Sequence, residues 1–504
     1  MDIPGKLLNI ISKYDSPVLW HDMSEPLKHA GHALRERKVR CIHGKGMGGT
    51  SSVNWMMYTR GNIEDYNRWA RMSGDYNWSW KNIQPYFKKL ENYRIPYSDP
   101  NYFGVDGPVH IEIPPYHSSL SRAALLAANQ AGLPIHNING PVEYGISPVQ
   151  SSLKKGKRVS ANTAYITPIK TRRNLHIKMN SFVTKILIDV KAKPLPKAFG
   201  VTFLNENGLN TVFAKKEVIL CAGAINSPKL LMLSGIGPLH ELKHHHIPVI
   251  NDLPVGKNLF DHVGTASLQF RTNKRAYSPP FIPPHYEIWG YSHPLNKTVA
   301  IEQLFYFRNM NQKQSQIFNM RQSVYDKVFK EHTLKPGFMI QTILEQPKSR
   351  GQLRLRNANP FSSPRIDLNY FSEPEDLDLL VSGVKEAIRI AGKPALKIYE
   401  PRIVETKVPH CNKFSFGTDE YWRCAIRALP FTLAHFGGTC KMGRIEDSST
   451  VVNTRLKVHG IKNLRVIDIS VFPSPVSAHY GAVAMMIGEK GADIIKQDWR
   501  IEFL

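Results

Sequence analysis

The chain is 504 residues long, with 42% apolar and 21% charged residues. That excludes wholesale disorder, and the length allows a large core without metals or disulfides to hold it. Lys and Arg number 66 against 41 Asp and Glu, a formal charge of +25. Such a balance favours anionic partners, but the cations are spread along the chain, as on a solvated surface, and no nucleic-acid motif accompanies them.

The five cysteines, Cys41, Cys221, Cys411, Cys424 and Cys440, are scattered and without CxxC spacing. They predict neither a disulfide framework nor a zinc ribbon. Apolar runs such as 482–487 fall far short of the ~20 residues that span a bilayer. The opening MDIPGKLLNIISKYDSP lacks the basic flank, apolar core and small-residue cleavage site of a leader. Sequons at Asn77 and Asn296 matter only in a secreted protein.

In chain order, a glycine-rich loop occupies 41–54 and runs into a mixed apolar segment, 55–60. A helix is predicted from Trp80, and another over 121–131, closed by Gly132. A β-rich run covers 183–190. The segments 199–204 and 211–214 flank an Asn-Glu-Asn-Gly turn and predict a hairpin. A strand at 217–220 leads through Cys221-Ala222-Gly223-Ala224 to Ser227-Pro228, read as cap and first turn of a helix. That order is what a nucleotide-binding α/β layer requires. The aromatic, proline-rich stretch 277–294 reads as an ordered irregular loop or lid. The segment 352–356 alternates like a half-buried strand. Ser372 and Glu375 form a capping-box pattern before a helix that Gly392 ends. A strand over 464–469 and a helix over 481–496 close the chain.

Four stretches carry chemistry. Gly44-Lys45-Gly46-Met47-Gly48-Gly49-Thr50-Ser51-Ser52-Val53-Asn54 lacks the Lys-Ser/Thr of a Walker loop, yet its glycines let backbone N–H groups approach an anion. The second is Gly223-Ala224-Ile225-Asn226-Ser227-Pro228 and its continuation to Gly237. The third is His435-Phe436-Gly437-Gly438-Thr439-Cys440. The fourth runs Arg465-Val466-Ile467-Asp468-Ile469-Ser470 and ends in Ser477-Ala478-His479-Tyr480. Each alone reads equally well as ordinary structure. The tract His244-His245-His246, with no spaced Cys or carboxylate, reads as a solvated helix end.

In order and spacing these four stretches resemble the glucose–methanol–choline (GMC) family of FAD-dependent oxidoreductases. Val255-Gly256-Lys257-Asn258-Leu259-Phe260-Asp261-His262 and Pro347-Lys348-Ser349-Arg350-Gly351 also resemble family segments. Asp419-Glu420-Tyr421-Trp422 looks like the insect branch, ecdysone oxidase-like or glucose dehydrogenase-like. The resemblance implies an α/β + α fold: a Rossmann-like FAD-binding layer with an antiparallel-sheet substrate domain. It divides the chain into an FAD-binding region at 1–262, a substrate-domain insert and lid at 263–346, and a C-terminal region at 347–496 carrying the histidines. It implies oxidation of a CH–OH group by hydride transfer to flavin N5. His435 would be the base, and His479 would hold the substrate oxygen or share that role. A histidine suits proton abstraction because its pKa lies near ~6.5. Gly48, Gly49, Thr50, Ser51, Asn54, Val183, Ala222, Gly223 and Asp468 would lie along FAD, and no metal is implied.

Members of the family begin with a βαβ unit carrying G-x-G-x-x-G, which this sequence does not show. The expectation is an N-terminally truncated layer, weakened in FAD binding. The alternative function is a non-catalytic GMC-like binding protein. The S-A-H-Y stretch resembles ecdysone oxidase-like members, so a steroid alcohol is the expected substrate beside a sugar. O₂ or another acceptor would reoxidise the flavin, with no nucleic acid and no membrane as partners. Location would be extracellular if a missing N-terminus carried a signal peptide.

Overall fold

The computed structural model describes residues 7–114, 118–142, 144–275, 286–292 and 301–500. One layer is a twisted, largely antiparallel sheet. Its order is Arg402–Ile403, Gln269–Arg271, Gly337–Leu344, Ile301–Tyr306, Tyr286–Ser292, Gly145–Pro148, with Val263–Thr265 and Pro430–Thr432 attached beside Gly337–Leu344. The sheet thus recruits strands from distant parts of the chain. Ile301–Tyr306 is buried throughout, as befits a strand covered on both faces.

The helix Pro374–Ala391 covers one face. Leu377, Leu380, Val381, Val384 and Ala387 are buried along it, the leucines and valines each worth about 1.5–3 kcal/mol when removed from water. A Cβ at Gly383 would sit 2.5 Å from Thr342 Cγ2 and 2.9 Å from Ile301 Cγ2, so helix and sheet pack backbone to strand. This helix begins at Pro374 with Glu373 at its cap and no side-chain capping bond. The Ser372–Glu375 box is not formed; proline at the first turn starts the helix instead.

The second region joins the parallel strands Val218–Leu220 and Leu464–Val466 to the helices Gly223–Leu233 and Tyr480–Asp498. A three-stranded antiparallel sheet, Phe182–Asp189, Lys197–Asn205 and Gly208–Phe213, packs beside it. The predicted hairpin is there. The helix after Val218–Leu220 starts at Gly223, four residues before Ser227. Asp468 Oδ2 accepts the Gly223 N–H at 2.9 Å, so a distant carboxylate satisfies that turn and lets the helix begin early.

Three further expectations are revised. The strand at 464–469 is shorter, Leu464–Val466, because Asp468 turns back to cap Ile469–Val471. Cys411 and Cys424 form a disulfide; it is one cross-link between a short 3-10 turn and the helix Asp419–Ala428, not a framework. Within 277–294, Tyr286–Ser292 is a paired sheet strand rather than irregular loop; the remainder lies outside the described residues. No helix among the described residues is long and apolar enough to cross a membrane.

Candidate active site

His435 and His479 come together from stretches 44 positions apart in sequence. Their ring centroids are 5.0 Å apart and the rings nearly perpendicular, at 88°. His435 follows Ala434, which holds a left-handed φ of 58°. Such a turn costs roughly 1–3 kcal/mol and persists only where the surroundings enforce it. Here Asp261 enforces it: its Oδ1 accepts the His435 N–H at 2.8 Å, while Thr432 and Tyr370 hydroxyls donate to Oδ2. Burial raises the Asp261 carboxyl to about 6 against the hydrogen bonds that lower it.

His479 is the N-cap of Tyr480–Asp498. Its N–H donates to Thr59 Oγ1 at 2.6 Å. Thr59 is fixed by its neighbour Arg60, whose guanidinium is fully buried and paired with Glu91, Nε to Oε1 at 2.6 Å. Asp65 accepts the Ser477 N–H at 2.7 Å and the Gln346 amide at 2.8 Å. The segment before His479 is therefore tied to two separate elements.

His262 stands behind the pair, wholly buried. Its Nδ1 lies 2.9 Å from His435 Nδ1, and its Nε2 lies 3.0 Å from the Tyr480 hydroxyl. In one tautomer set Tyr480 donates to His262 and His262 to His435; in the other every proton points the opposite way. Either occupies His435 Nδ1; Nε2 carries the ring proton in the first set and a bare lone pair in the second. Burial first, then His479 and His262, push His435 well below the ordinary imidazole value. Burial and His479 likewise bring His262 down to about 3. Both rings are neutral at physiological pH. Glu302 Oε1 sits 3.0 Å from His479 Nε2, and Trp289 meets the His479 ring edge-on at 6.1 Å.

The glycine loop lies alongside. After Arg40–Gly44, Gly48 caps the short 3-10 turn Gly49–Ser52. Thr50 Oγ1 accepts the Gly44 N–H at 3.1 Å, and the Ser51 hydroxyl donates to Gly48 O. Arg158 donates to Ser51 O at 3.0 Å and to Asn54 Oδ1 at 2.7 Å. Asn54 Nδ2 is 3.3 Å from the position a Cβ would take at Gly481, so the loop abuts the helix that His479 opens.

Asp468 joins the trough from below: Gly223 N–H and the Ser227 hydroxyl donate to Oδ2, and Ser470 N–H to Oδ1. It therefore caps the helix and holds Ala222–Gly223 in place. Val183 is partly exposed on its strand. Its neighbour Phe182 meets Trp20 at 6.0 Å, and Trp20 stacks on His43 at 6.0 Å.

The residues present fit a dinucleotide. Gly49 and Gly223 have φ of 54° and 82°, and a Cβ at either would meet nothing within 4 Å. The left-handed backbone favours glycine at both positions, and the open space leaves room for a ligand to lie close to the main chain. Thr50 is exposed beside Gly49, and Ala222 is exposed at the N-terminus of Gly223–Leu233, where N–H groups favour an anion. Among the described residues no group of three or more His, Cys, Asp or Glu could hold a metal.

Sequence reasoning missed Arg158, Glu302 and Glu345 and gave His262 no role. A buried acid inside the apolar strand IEQLFY and another directly after GFMIQTIL were usable signals for the glutamates. Nothing local marked Arg158.

The GMC oxidoreductase family models match residues 27–264 and 347–488. The chain is 34% identical to glucose dehydrogenase (FAD, quinone) of Drosophila melanogaster, covering 99% of this chain and 80% of the relative. It is 33% identical to an alcohol dehydrogenase (acceptor) of Pseudomonas putida, covering 94% and 85%. In fold it is similar to pyridoxine 4-oxidase from Mesorbium loti, with a TM-score of 0.84 at 24% identity, covering 99% and 91%. An FAD-dependent oxidoreductase from Chaetomium thermophilum superimposes with a TM-score of 0.80 at 26% identity, covering 96% and 91%. With both halves matched and such relatives along nearly its whole length, the chain belongs to the GMC oxidoreductase family.

Proposed function

We propose that this protein is an FAD-dependent oxidoreductase that oxidises a CH–OH group, with His435 as the base. The observation that carries the reading is the perpendicular His435–His479 pair, 5.0 Å between centroids, at the end of the glycine trough. Bound FAD would supply the hydride acceptor. Gly48, Gly49, Thr50, Ser51, Asn54, Ala222 and Gly223 would hold it through backbone groups and hydroxyls.

The protein's own residues do the rest. In the tautomer set where its Nδ1–H donates to His262, neutral His435 has a bare Nε2 and takes the hydroxyl proton there. His262 and Tyr480 accept or return a proton at its Nδ1 and so keep the tautomer adjustable. His479, whose Nε2–H donates to Glu302, keeps Nδ1 as an acceptor towards the substrate hydroxyl and can share the base role. The N-terminus of Tyr480–Asp498, uncapped by any side chain, favours negative charge developing nearby.

For the substrate, Trp289 beside His479, with Tyr291 next to it, supplies an apolar aromatic wall. This supports a bulky alcohol such as a 3-hydroxy steroid. A sugar is the second reading, supported by the relative named glucose dehydrogenase. The test is flavin absorbance of the purified protein, then anaerobic bleaching by each alcohol in turn. Bleaching by a 3-hydroxy steroid and not by glucose supports the first reading; the reverse supports the second. A protein that carries no flavin and gains none on incubation with FAD is a binding protein instead.

A further inference from the structure

Two carboxyl groups lie under the histidines, Glu302 and Glu345, both with no exposed surface. Their strands are neighbours, Ile301 standing opposite Leu344. Glu302 Oε1 is 3.0 Å from His479 Nε2, and Glu345 Oε2 is 3.4 Å from His262 Nδ1. That His262 nitrogen is already engaged by His435 at 2.9 Å. Among the described residues, Glu302 Oε2 and both Glu345 oxygens receive no well-formed hydrogen bond from an N–H or O–H. Neither acid pairs with a Lys or Arg there; their ion-pair partners are these histidines.

Two ionised carboxylates in this place would combine full desolvation with mutual repulsion. One proton shared between them removes the repulsion and leaves a single buried charge. Glu302 has an imidazole donor, whereas Glu345, beyond the engaged His262 nitrogen, is approached among the described residues only by the Ala478 N–H, which is already bonded to Val476 O. The proton therefore belongs on Glu345. We propose that Glu345 is a neutral carboxylic acid at working pH, that its O–H donates to Glu302, and that the dyad presents one oriented carboxylate to His479. Burial first, then the Glu302 charge and the hydrogen bond between the two acids, push Glu345 well above the ordinary carboxylate value. The groups that face the dyad are the rings of His262 and His479, the hydroxyls of Tyr291 and Tyr480, the Ala478 N–H, and Asp65 with its partner Arg68.

The consequence is directional. A Glu302 held by Glu345 has one oxygen committed and the other aimed at His479, which fixes the imidazole with Nε2 as donor. Glu345 is thus a positioning residue, three hydrogen bonds from the substrate. Its role in turnover rests on the functional reading above; its protonation does not.

Infrared spectroscopy of the full chain at mildly alkaline pH tests the protonation without turnover. The expected result is a carbonyl stretch of a protonated carboxylic acid that disappears in Glu345→Gln and remains in Glu302→Gln. Wild-type and Glu345→Gln difference spectra isolate it from Asp65 and Asp261. No such band, or a band lost with Glu302→Gln and kept in Glu345→Gln, overturns the proposal. For positioning, Glu345→Gln offers an N–H where the O–H was, and should keep kcat and KM within about twofold. Glu345→Leu should lower kcat by at least about tenfold, the scale of one lost hydrogen bond to a charged group. Equal losses in the Gln and Leu variants would make the role one of shape only and overturn it. If the redox reading fails instead, the band persists in a protein that bleaches with no alcohol.

Discussion

The two halves of the site are built by opposite means. The histidine pocket is made of side chains: buried imidazoles, buried acids and a strained turn at Ala434, each held by named partners. The glycine trough is made of backbone: φ angles that only glycine adopts easily, N–H groups and short hydroxyls, on an open face. A pocket of the first kind tunes proton affinity by excluding water. A trough of the second kind brings main chain close to a large anionic ligand and tunes little. The chemistry should therefore be separable, with trough substitutions costing ligand and pocket substitutions costing rate.

The sharpest way to break that separation is Gly49→Val or Gly223→Val. Each forces a β-branched residue into a left-handed backbone and fills the open side of the trough. Loss of nearly all flavin absorbance is expected, with circular dichroism of the fold retained. Retained flavin would show that the trough is not the cradle. Next in size is His479→Ala, which should lower kcat by about 10²-fold at unchanged flavin content. If it lowered flavin content instead, pocket and trough would be one unit.

The pH dependence follows in size. A His435 pushed well below its ordinary value stays neutral as the solution is acidified past ~6.5. Because the neutral form is the active base, kcat/KM should stay flat through that range and fall only at lower pH. An acid limb centred near 6.5 would mean that the ring is solvated and the pocket wet. Smallest is Tyr480→Phe, which takes the end from the His262 chain and should change kcat by about three- to tenfold, one neutral hydrogen bond. A larger loss would make the phenol itself a participant.

What was legible in the sequence divides along the same line. The trough could be read because it is local: Gly48, Gly49, Thr50 and Ser51 are consecutive, and a short strand followed by Gly223 states its own geometry. His435 and His479 were legible through their flanking residues and the family they resemble. The start of Gly223–Leu233 was misplaced because its cap is Asp468, more than two hundred residues away. The Cys411–Cys424 bond was missed because a turn and a helix bring those residues together. Glu302, Glu345 and the His262 contact arise from strand pairing across the large sheet, which local periodicity does not encode.

The central claim is that the imidazole at 435 removes the alcohol proton as hydride leaves. Rapid anaerobic mixing of flavin-loaded protein with its alcohol substrate measures that step alone. In His435→Ala, flavin content should be unchanged and bleaching slowed by at least about 10²-fold. Bleaching at the wild-type rate would contradict the claim.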